Sequence, residues 1–76
     1  MNNIRRKQIS AISEQIEKLK MDIEALKYEE QECFDNLPES LQASERGSMM
    51  EAAIEALEYA SDDLDECLDH LMEASE

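Results

Sequence analysis

Ile9, Ile12, Ile16, Leu19, Ile23 and Leu26 succeed one another at spacings of 3, 4, 3, 4 and 3 residues. Side chains three and four positions apart share one face of an α-helix, whereas a strand repeats every second residue. The run therefore specifies an amphipathic helix. Written as a heptad, Ile9, Ile16 and Ile23 occupy position a, and Ile12, Leu19 and Leu26 occupy position d. In the same register Glu30 falls at a and Cys33 at d, so the stripe weakens toward its end. Asn36 and Pro38 stop the helix: Asn tolerates a left-handed end position, and Pro cannot continue the hydrogen-bond ladder.

A second stripe runs through Met50, Ile54, Leu57, Ser61, Leu64, Leu68, Leu71 and Ser75, again at spacings of 4 and 3. Beside it lie Ala53, Ala60, Cys67 and Ala74, seven apart, small enough to let another helix approach closely. Ser48 with Glu51 fits a capping box at the start of this helix, and Ser44 with Glu45 is a competing start one turn earlier. Between the stripes, Asp35 to Ser48 hold the only Pro and the only Gly of the chain. Pro38 to Leu41 can form a single helical turn, with Leu37 and Leu41 closing the end of the assembly.

The expected fold is all-α: helix 1 over about 3–35, a loop over 36–47 and helix 2 over 48–75, in one domain. A connector this short between helices of similar length specifies an antiparallel hairpin. Ile16 then faces Leu68, and Leu26 faces Leu57. Cys33 lies near Met49 and Cys67 near Gln15, on the order of 25 Å apart at 1.5 Å per residue. A disulfide requires Cα atoms within about 7 Å, so none forms inside the hairpin. The rival, one longer parallel coiled coil, fits Ile at a with Leu at d, but the loop and the wide second stripe favour the hairpin. Each stripe is wider than one neighbouring helix covers. Ile9, Ile12, Ile16, Leu19, Ile23, Leu26, Ile54, Leu57, Leu64, Leu68 and Leu71 are therefore expected to drive self-association, most simply a homodimer forming a four-helix bundle.

Charge is divided unevenly over the 76 residues. Residues 1–27 hold six basic and four acidic groups, whereas residues 28–76 hold Arg46 against sixteen acidic groups, giving −13 overall. Such a chain repels nucleic acid and anionic membranes, and its natural partners are basic proteins, cations or itself. No run of about 18 apolar residues is present to span a membrane. Arg5, Arg6 and Lys7 resemble the basic start of a secretory signal, but Ser13, Glu14 and Glu17 interrupt the stretch that would have to be apolar, so no such signal is expected. A cytoplasmic protein with reduced thiols is the expectation. In the hairpin, Arg5, Arg6 and Lys7 come to lie beside Asp69, Glu73 and Glu76, at the C-terminal end of helix 2 where positive charge is favourable. Glu51, Glu55, Glu58, Asp62, Asp65, Glu66, Asp69 and Glu73, with Glu76, fall at positions b, e and f and form an acidic band about 38 Å long. The band is either a solvated face or a docking surface for a basic partner.

Tyr28, Phe34, Leu37, Leu41, Arg46 and Met49 gather toward the loop end. They either pack under the loop or offer a contact patch. Chemistry is otherwise sparse. Counting a calcium loop from Asp63 puts Cys67 and Leu68 where an oxygen ligand and Gly are required. Cys67 and His70 could supply only half of a zinc site. Glu66 stands four residues before His70, not three, so the di-iron motif is absent. No Gly-rich phosphate loop and no nucleophile elbow occur. The expectation is a non-enzyme with no cofactor.

The segment NLPESLQASERGSMMEAAIEALEYASDDLDECLDHL, preceded by ISEQIEKLKMDIEALKYEEQE, resembles a group of small acidic helical-hairpin proteins encoded by phages and prophages of Gram-positive bacteria. The most specific part is the loop, Leu37 to Gln42 with Ser44 to Gly47. The resemblance implies a phage setting, host cytoplasm and no catalytic residues. It points to an inhibitor of a host defence protein, in the manner of acidic anti-CRISPR proteins whose band covers a nucleic-acid-binding surface. The alternatives are a coiled-coil assembly factor and a sponge for a small nucleotide signal, which would draw on Arg5, Arg6, Lys7, Lys18, Lys20, Lys27 and Arg46.

Overall fold

The computed structural model describes residues 2–76. Its described residues are helical almost throughout, in the order α1 (Asn3–Asp35), α2 (Glu39–Gln42) and α3 (Glu45–Ala74). The side chain of Asn2 caps α1 by accepting the Arg5 N–H at 2.8 Å. Asn36 ends it with right-handed backbone angles, φ −85° and ψ −5°, not the left-handed ones expected of it. The helix stops because Pro38 comes next but one and because the Leu37 N–H bonds the Phe34 carbonyl. The second long helix starts at the earlier of its two candidate caps. Ser44 accepts the Gly47 N–H at 3.4 Å, and Glu45, not Ser48, opens α3.

α1 and α3 pack along each other in a body 58 × 15 × 11 Å. Arg6 and Ile9 share a groove with Leu71, Met72 and Ser75. Further along, Lys20 meets Asp65 and Glu24 meets Ser61. Rising numbers on α1 therefore meet falling numbers on α3, in a register about one residue on from the expected pairing of Ile16 with Leu68.

The corner between them is built on two residues. Gln42 donates from Nε2 to the Phe34 carbonyl at 3.0 Å and to the Leu37 carbonyl at 3.1 Å. It thereby satisfies acceptors that the end of α1 leaves open. The backbone of Gln42 rests on Gly47, which is buried. A Cβ at Gly47 would lie 2.6 Å from the Gln42 carbonyl carbon and 2.8 Å from its Cα, with the carbonyl oxygen closer still. Gly47 is required by this close approach and not by an unusual backbone angle.

The face that α1 turns to α3 differs from the expected one. Ile9, Ile16 and Ile23 are half-buried as position a requires, but the other row against α3 is Ser13, Lys20, Lys27 and Phe34, at position e. The d row faces solvent: Ile12, Leu19 and Leu26 are 47%, 55% and 54% exposed. α3 keeps its expected stripe. Met50, Ile54, Leu57, Leu64, Leu68, Leu71 and Ser75 are half-buried, and Ser61 is buried. The reason is that one neighbouring helix covers only one stripe. The Gln42 and Gly47 corner seats α3 on the a/e side. Among the described residues, no hydrophobic side chain is buried in the single chain.

Candidate functional site

The acidic residues of α3 are held in line by the helix itself. Glu51, Glu55, Glu58, Asp62, Asp65, Glu66, Asp69, Glu73 and Glu76 are all exposed. Among the described residues, only Asp65 of this band is engaged by a Lys or Arg: Lys20 Nζ lies 2.5 Å from its carboxylate and 3.8 Å from Glu24. Glu73 lies 3.9 Å from His70 Nδ1, an ion pair only when that imidazole is protonated. Among the described residues, Arg5, Arg6 and Lys7 form no ion pair with Asp69, Glu73 or Glu76. Arg6 lines a groove with Leu71, Met72 and Ser75 instead.

Two titrating groups report on this charge. Lys20 is held above the ordinary lysine pKa, first by its hydrogen bond to Asp65 and then by Coulombic attraction to Asp65, Glu24 and Glu17, with burial opposing. Tyr59 sits within the band and donates its hydroxyl to Glu55 Oε1 at 2.8 Å. That bond, then the negative field of Glu55, Glu58 and Asp62, raises the phenol above its ordinary value. The sequence pattern singles out neither Lys20 nor Tyr59 for this role. Lys20 is hidden because it occupies a seam position on a helix whose heptad pattern places the seam one row away.

The loop-end residues differ in exposure. Phe34 and Leu37 are half-buried at the corner beside Gln42, and Leu41 is 41% exposed. Tyr28 and Met49 stand in solvent at 66% and 68% exposed. The Tyr28 ring carries Lys27 Nζ 5.3 Å from its centroid, a cation–π contact at the surface. Arg46 is exposed in the first turn of α3 and forms no ion pair with any described residue.

Two shallow grooves run between α1 and α3. One of about 230 Å³ contains Arg6, Ser10, Ser13 and Ser75 over an apolar floor of Ile9 and Leu71. The other, about 240 Å³, contains Lys20 between Glu24 and Asp65. Each carries a single basic side chain, and Lys20 is already engaged by two carboxylates. Cys33 is exposed and Cys67 half-buried, and both are free thiols. Among the described residues no three His, Cys, Asp or Glu side chains are grouped to hold a metal ion, and no helix is long and apolar enough to cross a membrane. No family model matches the chain, and no curated protein or solved structure is significantly similar to it.

Proposed function

We propose that the chain is a non-enzymatic protein-binding module. Its unit is an antiparallel helical hairpin, and two hairpins form a four-helix bundle that offers the acidic face of α3 to a basic surface on another protein. The observation that carries this reading is the state of the carboxylates. The whole band is exposed, and among the described residues only its Asp65 is paired with a Lys or Arg. Like charges at i, i+4 each cost a helix about 0.2–0.5 kcal/mol, which a cationic partner would offset. A surface that binds nucleic acid carries such cations in a row. The partner class is therefore a nucleic-acid-handling protein whose site the band occludes. The loop resemblance supplies the setting: a phage protein in host cytoplasm, acting on a host defence protein.

The test is capture of partners from a host lysate, with a salt wash afterwards. Reversal of Asp62, Glu66 and Asp69 to Lys should abolish capture. Asp65 is left intact because it also holds Lys20 across the two helices. A basic protein released by salt from the wild type and absent from the variant supports the reading. Undiminished capture by the variant refutes it.

A second reading, an assembly factor with no basic target, is favoured by the absence of any buried hydrophobic side chain among the described residues of the single chain. Salt separates the two. Docking of the band weakens as salt rises, whereas association of chains carrying −13 each is opposed by repulsion and strengthens.

A further inference from the structure

The polar contacts between α1 and α3 define one side of the pair. Lys20 meets Asp65 there, and Glu24 meets Ser61. In heptad terms that side carries positions b and e of α1 and positions a and e of α3. Helix geometry puts position d of α1 and position g of α3 on the opposite side. From Ile12 to Cys33 on α1 and from Ala53 to Ala74 on α3 the two central rows of that side carry no charge, and Arg5 and Arg46 stand at their outer ends. On α1 that side presents the large residues Ile12, Leu19 and Leu26, and on α3 the small residues Ala60, Cys67 and Ala74, each row at intervals of seven.

We infer that this face is covered by a second copy of the chain, related by a two-fold axis parallel to the helices. The inference rests on the hairpin-and-bundle reading above and specifies its interface. Three observations carry it. First, the chain exposes 5873 Å², whereas general scaling gives about 4,700 Å² for a folded monomer of its mass. The excess, roughly 1,100 Å², is comparable to or larger than the ~800 Å² that each partner buries in a standard interface. Second, none of the described hydrophobic side chains is buried without such a partner, and a domain of this size has little other means of stability.

Third, the rows match. An axis parallel to the helices keeps each residue of the second copy at its own height and lays its α1 over the first copy's α3. The contacts Lys20 to Asp65 and Glu24 to Ser61 fix which heights coincide. Ile12 of the second copy then comes level with Ala74, Leu19 with Cys67, and Leu26 with Ala60, each within about one residue's rise of 1.5 Å. One heptad further, Cys33 comes level with Ala53. Every large side chain meets a small one, on both halves of a self-complementary interface. A partner of other origin would need the same spacing reversed, which a second copy already has.

The experiment is disulfide trapping in solution, with the full chain. Leu19→Cys in a Cys33→Ser background pairs with the native Cys67, and Ala53→Cys in a Cys67→Ser background pairs with the native Cys33. Both should give a covalent dimer on mild oxidation, at a yield well above that of the single Cys33→Ser and Cys67→Ser controls. Light scattering on the unmodified chain should give twice the chain mass. A monomer mass overturns the inference and the bundle together. A dimer mass with no trapping above the controls, or with bridges only inside single chains, overturns this interface and leaves the bundle standing. Neither readout uses a basic partner, so failure here is distinguishable from failure of the acidic-face reading.

Discussion

Gly47, Gln42 and Tyr59 carry the sharpest residue-level consequences. A methyl group at Gly47 has nowhere to go, because the atoms it meets are the backbone of Gln42. Gly47→Ala should destabilise the fold by about 1–3 kcal/mol, the usual range for overpacking, despite placing a better helix former in the first turn of α3. Thermal unfolding monitored by circular dichroism checks this, and an unchanged or higher melting temperature would refute the close approach. Gln42→Ala removes both bonds to the end of α1. It should cost about 1–3 kcal/mol, since net hydrogen-bond contributions near 1 kcal/mol apply to each. Tyr59 serves as a probe of the band. Its phenol pKa should fall toward the ordinary value in Glu55→Gln, measured by ultraviolet titration, because the leading cause of its elevation is the bond to Glu55. Added salt should lower it further by screening Glu58 and Asp62. Gly47 is visible in the sequence only as a lone Gly in a loop. The residue it touches is five positions away, and no periodicity encodes that contact.

At the scale of elements, one row of the contact between α1 and α3 is mainly polar where the sequence pattern leads one to expect an apolar one. Lys20, Lys27 and Ser13 occupy the row beside Ile9, Ile16 and Ile23 and are half-buried there. The ion pair of Lys20 with Asp65 has a defined pH signature. The pKa of Lys20 is raised in the folded state. Its contribution is therefore complete below the unfolded value, near pH 10.4 for lysine, and disappears as pH rises through the folded value. The melting temperature should fall on passing from about pH 9 to above pH 10.4, and should fall less in Lys20→Gln. Equal slopes for the two proteins would show that the pair contributes nothing, which exposed pairs often do. Both helices were legible from their stripes and from the Pro between them. Which row of α1 would turn inward was not, because Ile12, Leu19 and Leu26 look as suitable for burial as Ile9, Ile16 and Ile23. The choice is made by the corner at Gln42 and Gly47, which fixes where α3 starts.

For the whole molecule, apolar surface and charge are separated onto different faces. The face built on Ile12, Leu19, Leu26, Ala60, Cys67 and Ala74 is the one assigned to a second chain, and the acidic face is open on the far side of α3. Stability should then depend on concentration, since a folded state that needs a partner obeys mass action. The melting temperature should rise with protein concentration and with salt, and Leu19→Lys should abolish both trends by placing a charge in the interface. A melting temperature indifferent to concentration would mean that the single chain is the stable unit. Reversal of Asp62, Glu66 and Asp69 to Lys acts in the other direction. It should leave self-association intact or strengthen it, because it reduces net negative charge, while removing capture of a basic partner. The band's extent and its lack of compensating cations were legible in the sequence, because carboxylates at b, e and f of one helix must share its outer side. That a lysine engages Asp65 was not.

The sequence by itself determined two long helices, their approximate bounds, a stripe on each and a continuous band of carboxylates on the second. These come from spacing along one helix, which is a local property of 3.6 residues per turn. The tertiary structure decided which stripe is used inside the chain, where α3 begins, and which row is left for another molecule. Those choices turn on contacts between residues distant in the chain: Gln42 on Phe34 and Gly47, Lys20 on Asp65, and Glu24 on Ser61. A helix can present several equivalent apolar rows, and only the position of its neighbour breaks that equivalence.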